Sequence, residues 1–165
     1  MMSEMLRFYV PGLPIPQGSK VCSCVKGRGS MREAAKGHKG ARKRVTEAAK
    51  QAMSDNPKWG RIPKPLPVMI AVEFVYEAPA SRKTWWGAWR TVAPDQDKLV
   101  RLVGDALKDA KVYDDDAQIA ATFIIKHEVR LADIGRTSPE PGTYITISML
   151  NGTVESFKTK HAWPI

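Results

Sequence analysis

Seven aspartates fall between Asp95 and Asp116, at positions 95, 97, 105, 109, 114, 115 and 116, in a chain whose formal net charge is +9. Carboxylates this dense are natural donors for a hard cation. Mg2+ takes oxygen ligands, keeps several of its waters, and needs few carboxylates when phosphate oxygens complete its shell. A cation so held lowers the pKa of a water and offsets the charge that builds at phosphorus during an in-line attack. Asp97, Arg101 and Asp105 follow one another at intervals of four, so on a helix they share one face. Asp95 lies just before that face. If the chain returns from the helix as a strand beside it, Asp115 or Asp116 approaches Asp95 and Asp97, and three or four carboxylates meet. Plainer readings stand beside this one: an Asp at a helix start commonly caps exposed N–H groups, and a run of Asp commonly forms a solvated turn. The spacing excludes an EF-hand, since the segment from Asp95 has Val100 at the sixth position and Ala106 at the twelfth. A restriction-type nuclease pattern is also absent, because Pro94-Asp95 is not followed by an acid-x-Lys on a strand. His127, between Lys126 and Glu128, is a candidate base, although a lone His at a strand end is more often structural.

The opposite charge is concentrated elsewhere. Lys20, Lys26, Arg28, Arg32, Lys36, Lys39, Arg42, Lys43, Arg44 and Lys50 face only Glu33 and Glu47 over 31 residues. A basic chain with one acid-rich segment suits a phosphate backbone and a divalent metal, although both runs can equally be solvated surface. Trp85, Trp86 and Trp89 stand beside Arg82, Lys83 and Arg90; they are candidates to stack on opened bases or to pack in a core or an interface. Cys22 and Cys24, one residue apart, cannot form a disulfide framework and are expected as free thiols. With three scattered histidines there is no zinc pattern. No apolar run approaches the roughly 20 residues of a membrane span, and the N-terminus has no basic-then-apolar leader layout. The expectation is a soluble cytoplasmic protein whose partner is a polyanion.

The elements that must position these residues are legible in outline. Leu6–Val10 alternates as a first strand and stops at Pro11. Residues 11–40, rich in Pro, Gly and basic residues, are expected to hold a mobile basic loop. A helix is expected from about Met31 to Met53, firm from Ala41 onward because Gly37 and Gly40 weaken its start. Val68–Glu77 reads as a buried central strand. Leu99, Leu102, Val103, Ala106, Leu107 and Ala110 form one apolar stripe on a second helix, capped by Asp95 or Asp97. Ala117–Lys126 and Thr143–Leu150 read as strands, and residues 152–165 as a tail. The order predicts a single α+β domain over 1–165, a small mixed sheet of about four strands packed with two main helices.

The segment PDQDKLVRLVGDALKDAKVYDDDAQIA, Pro94–Ala120, resembles the RusA family of Holliday-junction resolvases. That family's signature runs approximately P-D-x-D-N-L-x-K-x-x-x-D-A-L, about seven residues, then D-D-x-Q-I. Asp95, Asp97, Leu99, Asp105-Ala106-Leu107, Asp115-Asp116 and Gln118-Ile119 fall in register with it. VPGLPIPQGSK at Val10–Lys20 is similar to the family's opening strand and Pro-rich loop, and PASRKTW at Pro79–Trp85 to a loop of its phage-borne members. Two positions depart: Lys98 stands for the family Asn, and Arg101 for the family Lys. Arginine supplies the charge but exchanges a proton poorly, because its pKa is too high.

The resemblance implies a homodimeric, Mg2+-dependent endonuclease, with Mn2+ a possible substitute, that nicks two strands of a four-way DNA junction symmetrically. It implies metal ligation by Asp95, Asp97 and Asp116, with Asp115 a fourth carboxylate or one behind the ligands. Arg101 and Lys126 stabilise phosphate charge, and Asp105 orients Arg101. The bases from Lys20 to Arg44, with Arg82 and Lys83, track the DNA backbone. A bacterial cytoplasm, with a phage or prophage gene, is the expected setting. Two readings stay open beside it: a non-enzymatic basic nucleic-acid-binding protein, and a metal nuclease for flaps or other branched DNA. An Asp-x-Asp sugar-nucleotide transferase is disfavoured, because 165 residues leave little room for a donor-binding domain and the basic arm goes unexplained.

Overall fold

Val68–Glu77 (VMIAVEFVYE) carries neither Gly nor Pro and is dominated by β-branched and aromatic side chains, which suit a strand buried in the middle of a sheet. That is where it lies. A computed structural model of the chain describes residues 5–18, 20–25, 27–33, 36–79, 81, 89–130, 133–135 and 138–152. In chain order these form β1 (Met5–Pro11), β2 (Lys20–Val25), β3 (Arg28–Glu33), α1 (His38–Asp55), β4 (Val68–Glu77), α2 (Gln96–Asp109), a single 3-10 turn (Asp116–Gln118), β5 (Ile119–Val129) and β6 (Gly142–Met149). The main sheet has the order β1-β6-β4-β5. Its β1–β6 and β6–β4 pairs are antiparallel, and β4–β5 is parallel. A parallel pair cannot be closed by a hairpin and needs a crossover, which α2 supplies.

Both helices cover the same face of that sheet. Register places Leu6, Ile147 and Ile70 in one row and Phe8, Ile145, Val72 and Ile124 in the next. These side chains join Ala41, Val45 and Ala49 of α1 and Leu99, Leu102, Val103, Ala106 and Leu107 of α2 in one core. The stripe expected on α2 is the stripe that is buried. At full burial each large aliphatic side chain contributes roughly 1.5–3 kcal/mol, so this face alone fixes the helix on the sheet. Among the described residues no helix is long and apolar enough to cross a membrane.

The four-strand sheet and two helices match the expected α+β architecture. The stretch 11–40 does not match the expected loop. It contains the β2–β3 hairpin, paired from Lys20↔Glu33 to Val25↔Arg28 around Gly27, whose φ of 74° suits a tight turn. Met31–Glu33 therefore belongs to a strand, and the helix begins only at His38, after Gly37 at φ 80°. Residues 11–18 are also tied down: the Tyr76 hydroxyl donates to the Pro14 carbonyl at 3.2 Å, and the Gln17 N–H to the Lys98 carbonyl at 3.0 Å. The reading of residues 152–165 as a tail falls outside the described residues beyond Gly152.

Candidate active site

The first two carboxylates are placed by the start of α2. Asp95 occupies the N-cap position, but its side chain makes no capping hydrogen bond. It accepts from Lys98 Nζ at 2.6 Å instead. That hydrogen bond, then the charge of Lys98 and more weakly that of Lys126, holds the Asp95 carboxyl below the ordinary carboxylate range, and Asp95 raises Lys98 in return. Asp97 follows in the first turn, exposed, with no hydrogen bond or ion pair among the described residues. The helix start is pinned to the sheet by the Gln96 amide, which donates to the Ile124 carbonyl at 3.1 Å.

The second pair is placed by the end of α2. Lys111, at φ 64°, turns the chain out of the helix, and the buried Tyr113 donates its hydroxyl to the Gly104 carbonyl at 2.8 Å. Gln118 is buried and organises the turn: its Oε1 accepts from the N–H groups of Asp114 and Asp115 at 2.8 and 2.9 Å. Its amide donates to the carbonyls of Ile62 and Leu66. Asp115 accepts from Lys64 Nζ at 2.6 Å and from the Ala117 N–H at 3.2 Å, and these bonds, the lysine's first, lower its carboxyl. Asp116 faces Lys108 Nζ at 3.6 Å. Asp114 pairs with Arg61.

Between the two ends lies a cleft of about 190 Å³, lined by Val100, Arg101, Gly104, Asp105 and Asp116 on one side and by Ile70, Ile119 and Thr122 of the sheet on the other. Arg101 is the bridging residue, one helical turn from Asp97 and sharing the cleft with Asp116. The expected convergence of three or four carboxylates is not observed. Among the described residues no three His, Cys, Asp or Glu side chains gather to hold a metal ion by themselves. The reason is topological: Asp95 and Asp97 sit at the start of α2, Asp115 and Asp116 follow its end, and three of the four are ion-paired with lysines. Asp105 does not orient Arg101 either; it pairs with Arg42 of α1 at 3.1 Å. Arg42 also forks onto Asp109 at 2.6 and 2.9 Å, so this base, expected on the DNA backbone, ties α1 to α2 instead. Lys126, expected beside the phosphate, donates its ammonium to the carbonyls of Val92 and Pro94, 2.8 Å each.

Of the remaining expected DNA contacts, Lys36, Lys39, Lys43 and Arg44 are exposed. Lys20, Arg28 and Arg32 lie on the hairpin strands. Lys26, Arg82, Lys83, Trp85 and Trp86 lie outside the described residues. Trp89 is 68% exposed at the edge of β5, bridged to His127. His127 sits on the sheet face opposite the helices, 2.7 Å from Glu73, and takes no part in the cleft.

The family model described as Endodeoxyribonuclease RusA matches residues 11–148. The chain belongs to the RusA endodeoxyribonuclease family. A curated relative, the crossover junction endodeoxyribonuclease rusA of Lactococcus phage r1t, is 36% identical over 69 residues, which are 42% of this chain and half of that protein's length. The RusA match takes in both carboxylate pairs, Arg101 and the basic hairpin.

The donor set fits a hard divalent cation in its chemistry, being oxygen throughout and accessible. Mg2+ binds through one or two carboxylates plus water and substrate phosphate, so a closed trio is not required. Sequence reasoning missed the lysines that balance these carboxylates, and Arg61, Lys64, Arg90, Gln118 and Glu128. Gln118 had a signal, its place in the Asp-Asp-x-Gln-Ile motif. Lys64, 51 residues from Asp115, had none.

Proposed function

We propose that this RusA-family protein is a divalent-metal-dependent endonuclease that resolves four-way DNA junctions as a homodimer, by paired symmetric nicks. A junction is roughly two-fold symmetric, so a two-fold dimer sets one site against each of two opposed strands. Asp95, Asp97 and Asp116 are the candidate oxygen donors, of which one or two suffice once water and substrate phosphate complete the cation's shell, and Asp115 backs Asp116. When bound, Mg2+, or Mn2+ in its place, lowers the pKa of a water and offsets charge at phosphorus. Arg101 supplies a permanent positive charge to the scissile phosphate and exchanges no proton. Lys98 holds the Asp95 carboxyl further below the ordinary carboxylate range. The phage relative's name, crossover junction endodeoxyribonuclease, agrees with this reading.

The observation that carries the proposal is the bond from the Gln17 N–H to the Lys98 carbonyl. It docks the segment leading into the hairpin on the same helical turn as Asp97. The hairpin starts three residues later, at Lys20, within roughly 10 Å of extended chain. That tether starts the basic hairpin close to the helical turn of Asp97, which supports reading the two as an arm for phosphates and a site for hydrolysis.

The test is cleavage of an immobile four-way junction against linear duplex of equal length, in Mg2+ and in EDTA, with wild type and Asp97→Asn. Paired nicks on the junction alone are expected, lost in EDTA and reduced by about 100-fold or more in the variant, whose junction binding persists. Junction binding without metal-dependent cutting leaves the binding-protein reading; equal cutting of flaps leaves the broader nuclease.

A further inference from the structure

The turn that delivers Asp95 is not held by packing. Val92, Ala93 and Asp95 are exposed, Val92 by 48%. It is held by its carbonyls, each of which accepts from a cation. Lys126 Nζ takes Val92 and Pro94, and Arg90 forks through Nε and Nη2 onto Ala93 at 3.1 and 2.6 Å. Arg90 is itself seated. Its Nη1 lies 2.7 Å from Glu128, whose side chain is 1% exposed, and its guanidinium lies 4.3 Å over the Tyr76 ring. The Arg90 N–H is bonded to the Lys126 carbonyl at 3.0 Å, which fixes the backbone of one staple to that of the other.

A carboxylate as buried as Glu128 is costly to keep charged, and an apolar pair of similar volume commonly stabilises a core as well or better. What the ion pair offers in its place is direction: a rigid, planar fork aimed at one carbonyl. We infer that Arg90, seated on Glu128, is a positioning residue that sets the Val92–Pro94 turn so that Asp95 and Asp97 meet the cation in working geometry. This rests on the nuclease reading above. The geometry matters because Mg2+ demands a near-ideal octahedron and tolerates misplaced ligands poorly. Groups that orient ligands from behind change metal affinity or activity by about 10–100-fold when removed.

Two variants test it. Arg90→Lys keeps a cation for Glu128 and thus the fold, but a single point-like ammonium lacks the planar fork whose separate nitrogens reach Glu128 and the Ala93 carbonyl. Arg90→Met with Glu128→Met removes both charges of this pair together. The readouts are Mn2+ affinity without DNA, from the electron paramagnetic resonance signal of free Mn2+, the Mg2+ concentration that half-saturates junction cleavage, and the melting temperature. The double variant is expected to bind Mn2+ about 10-fold more weakly and to need about 10-fold more Mg2+, with Arg90→Lys between it and wild type. Wild-type Mn2+ affinity in both variants overturns the inference. So does an equal loss in a variant destabilised to the same melting temperature by a core truncation at the far end of β1, Leu6→Ala. A wild-type protein that binds no Mn2+ overturns the metal reading instead, so the two failures are distinguishable.

Discussion

At the scale of single residues, most carboxylates of the candidate site are matched to a base, and Asp97 is the exposed exception among the described residues. Asp95 has Lys98, Asp115 has Lys64, Asp116 has Lys108, and Asp105 shares Arg42 with Asp109. The last pair bears weight in folding rather than chemistry, and pH tests it. Hydrogen bonding to Arg42 lowers the Asp109 carboxyl from its ordinary 3.8. A depressed folded pKa adds stability that is present above the unfolded value and lost as pH falls through the folded one. The partners are 37% and 45% exposed, so solvent screening reduces the contribution to roughly 0.2–1 kcal/mol. Arg42→Met is therefore expected to be less stable than wild type by that amount at pH 7. The difference closes as pH falls below about 3.8. Urea unfolding at pH 7 and at pH 3 measures it, and an undiminished difference at pH 3 assigns the loss to packing instead. The carboxylates themselves were legible because their types and spacing sit within one short segment. Their partners were not: Arg42 reaches Asp105 across 63 residues, and no local pattern encodes a contact that only the fold creates.

At the scale of elements, legibility followed the strength of the apolar pattern. β4 was read to the residue and the α2 stripe side chain by side chain, because burial imposes a period on both. The β2–β3 hairpin left no such imprint. Its strands, KVCSCV and RGSMRE, form a separate two-stranded sheet, and their sequences carry no sustained apolar alternation. Its turn glycine looks the same in sequence as a loop glycine. Where an element does meet another closely, sequence carries the mark as a required Gly. Gly142 lies opposite Pro11 where β6 joins β1, and a Cβ there would sit 2.7 Å from the Val10 carbonyl oxygen and 2.9 Å from Cζ of Tyr9. The Tyr9 ring is fixed in turn by its hydroxyl on the Pro141 carbonyl at 2.8 Å and by the Tyr144 ring, 4.7 Å between centroids. Neither obstacle can yield without disturbing the β1–β6 ladder, so Gly142→Ala is expected to cost about 1–3 kcal/mol. Thermal unfolding checks this: a melting temperature unchanged within a degree means that the strand end relaxes freely.

At the scale of the whole molecule, the acidic site and the basic surface are separate in sequence but adjoining in space. α1 carries Lys39, Lys43 and Arg44 on exposed positions, and it is bolted to α2 through Arg42, while the segment leading into the hairpin is tied to α2 through Gln17. On the proposed function, DNA drawn to the basic elements is brought to the helix that bears Asp97 and Arg101. Lys43 has a weak competitor, Glu47 at 3.6 Å, but both side chains are largely exposed and the pair holds little energy against a phosphate. Binding through such charges is mostly counterion release, which adds about 0.9 to the slope of log affinity against log salt for each phosphate neutralised. Replacing Lys39 and Lys43 together by Gln is expected to flatten that slope by about 1–2 and to weaken four-way junctions and linear duplex in similar proportion. Fluorescence anisotropy across a salt series, in EDTA so that no strand is cut, reads both quantities. A slope equal to that of wild type places these lysines off the DNA and leaves the hairpin as the basic arm. A loss confined to the junction gives α1 a part in recognising branch geometry, which a purely electrostatic track along the backbone does not predict.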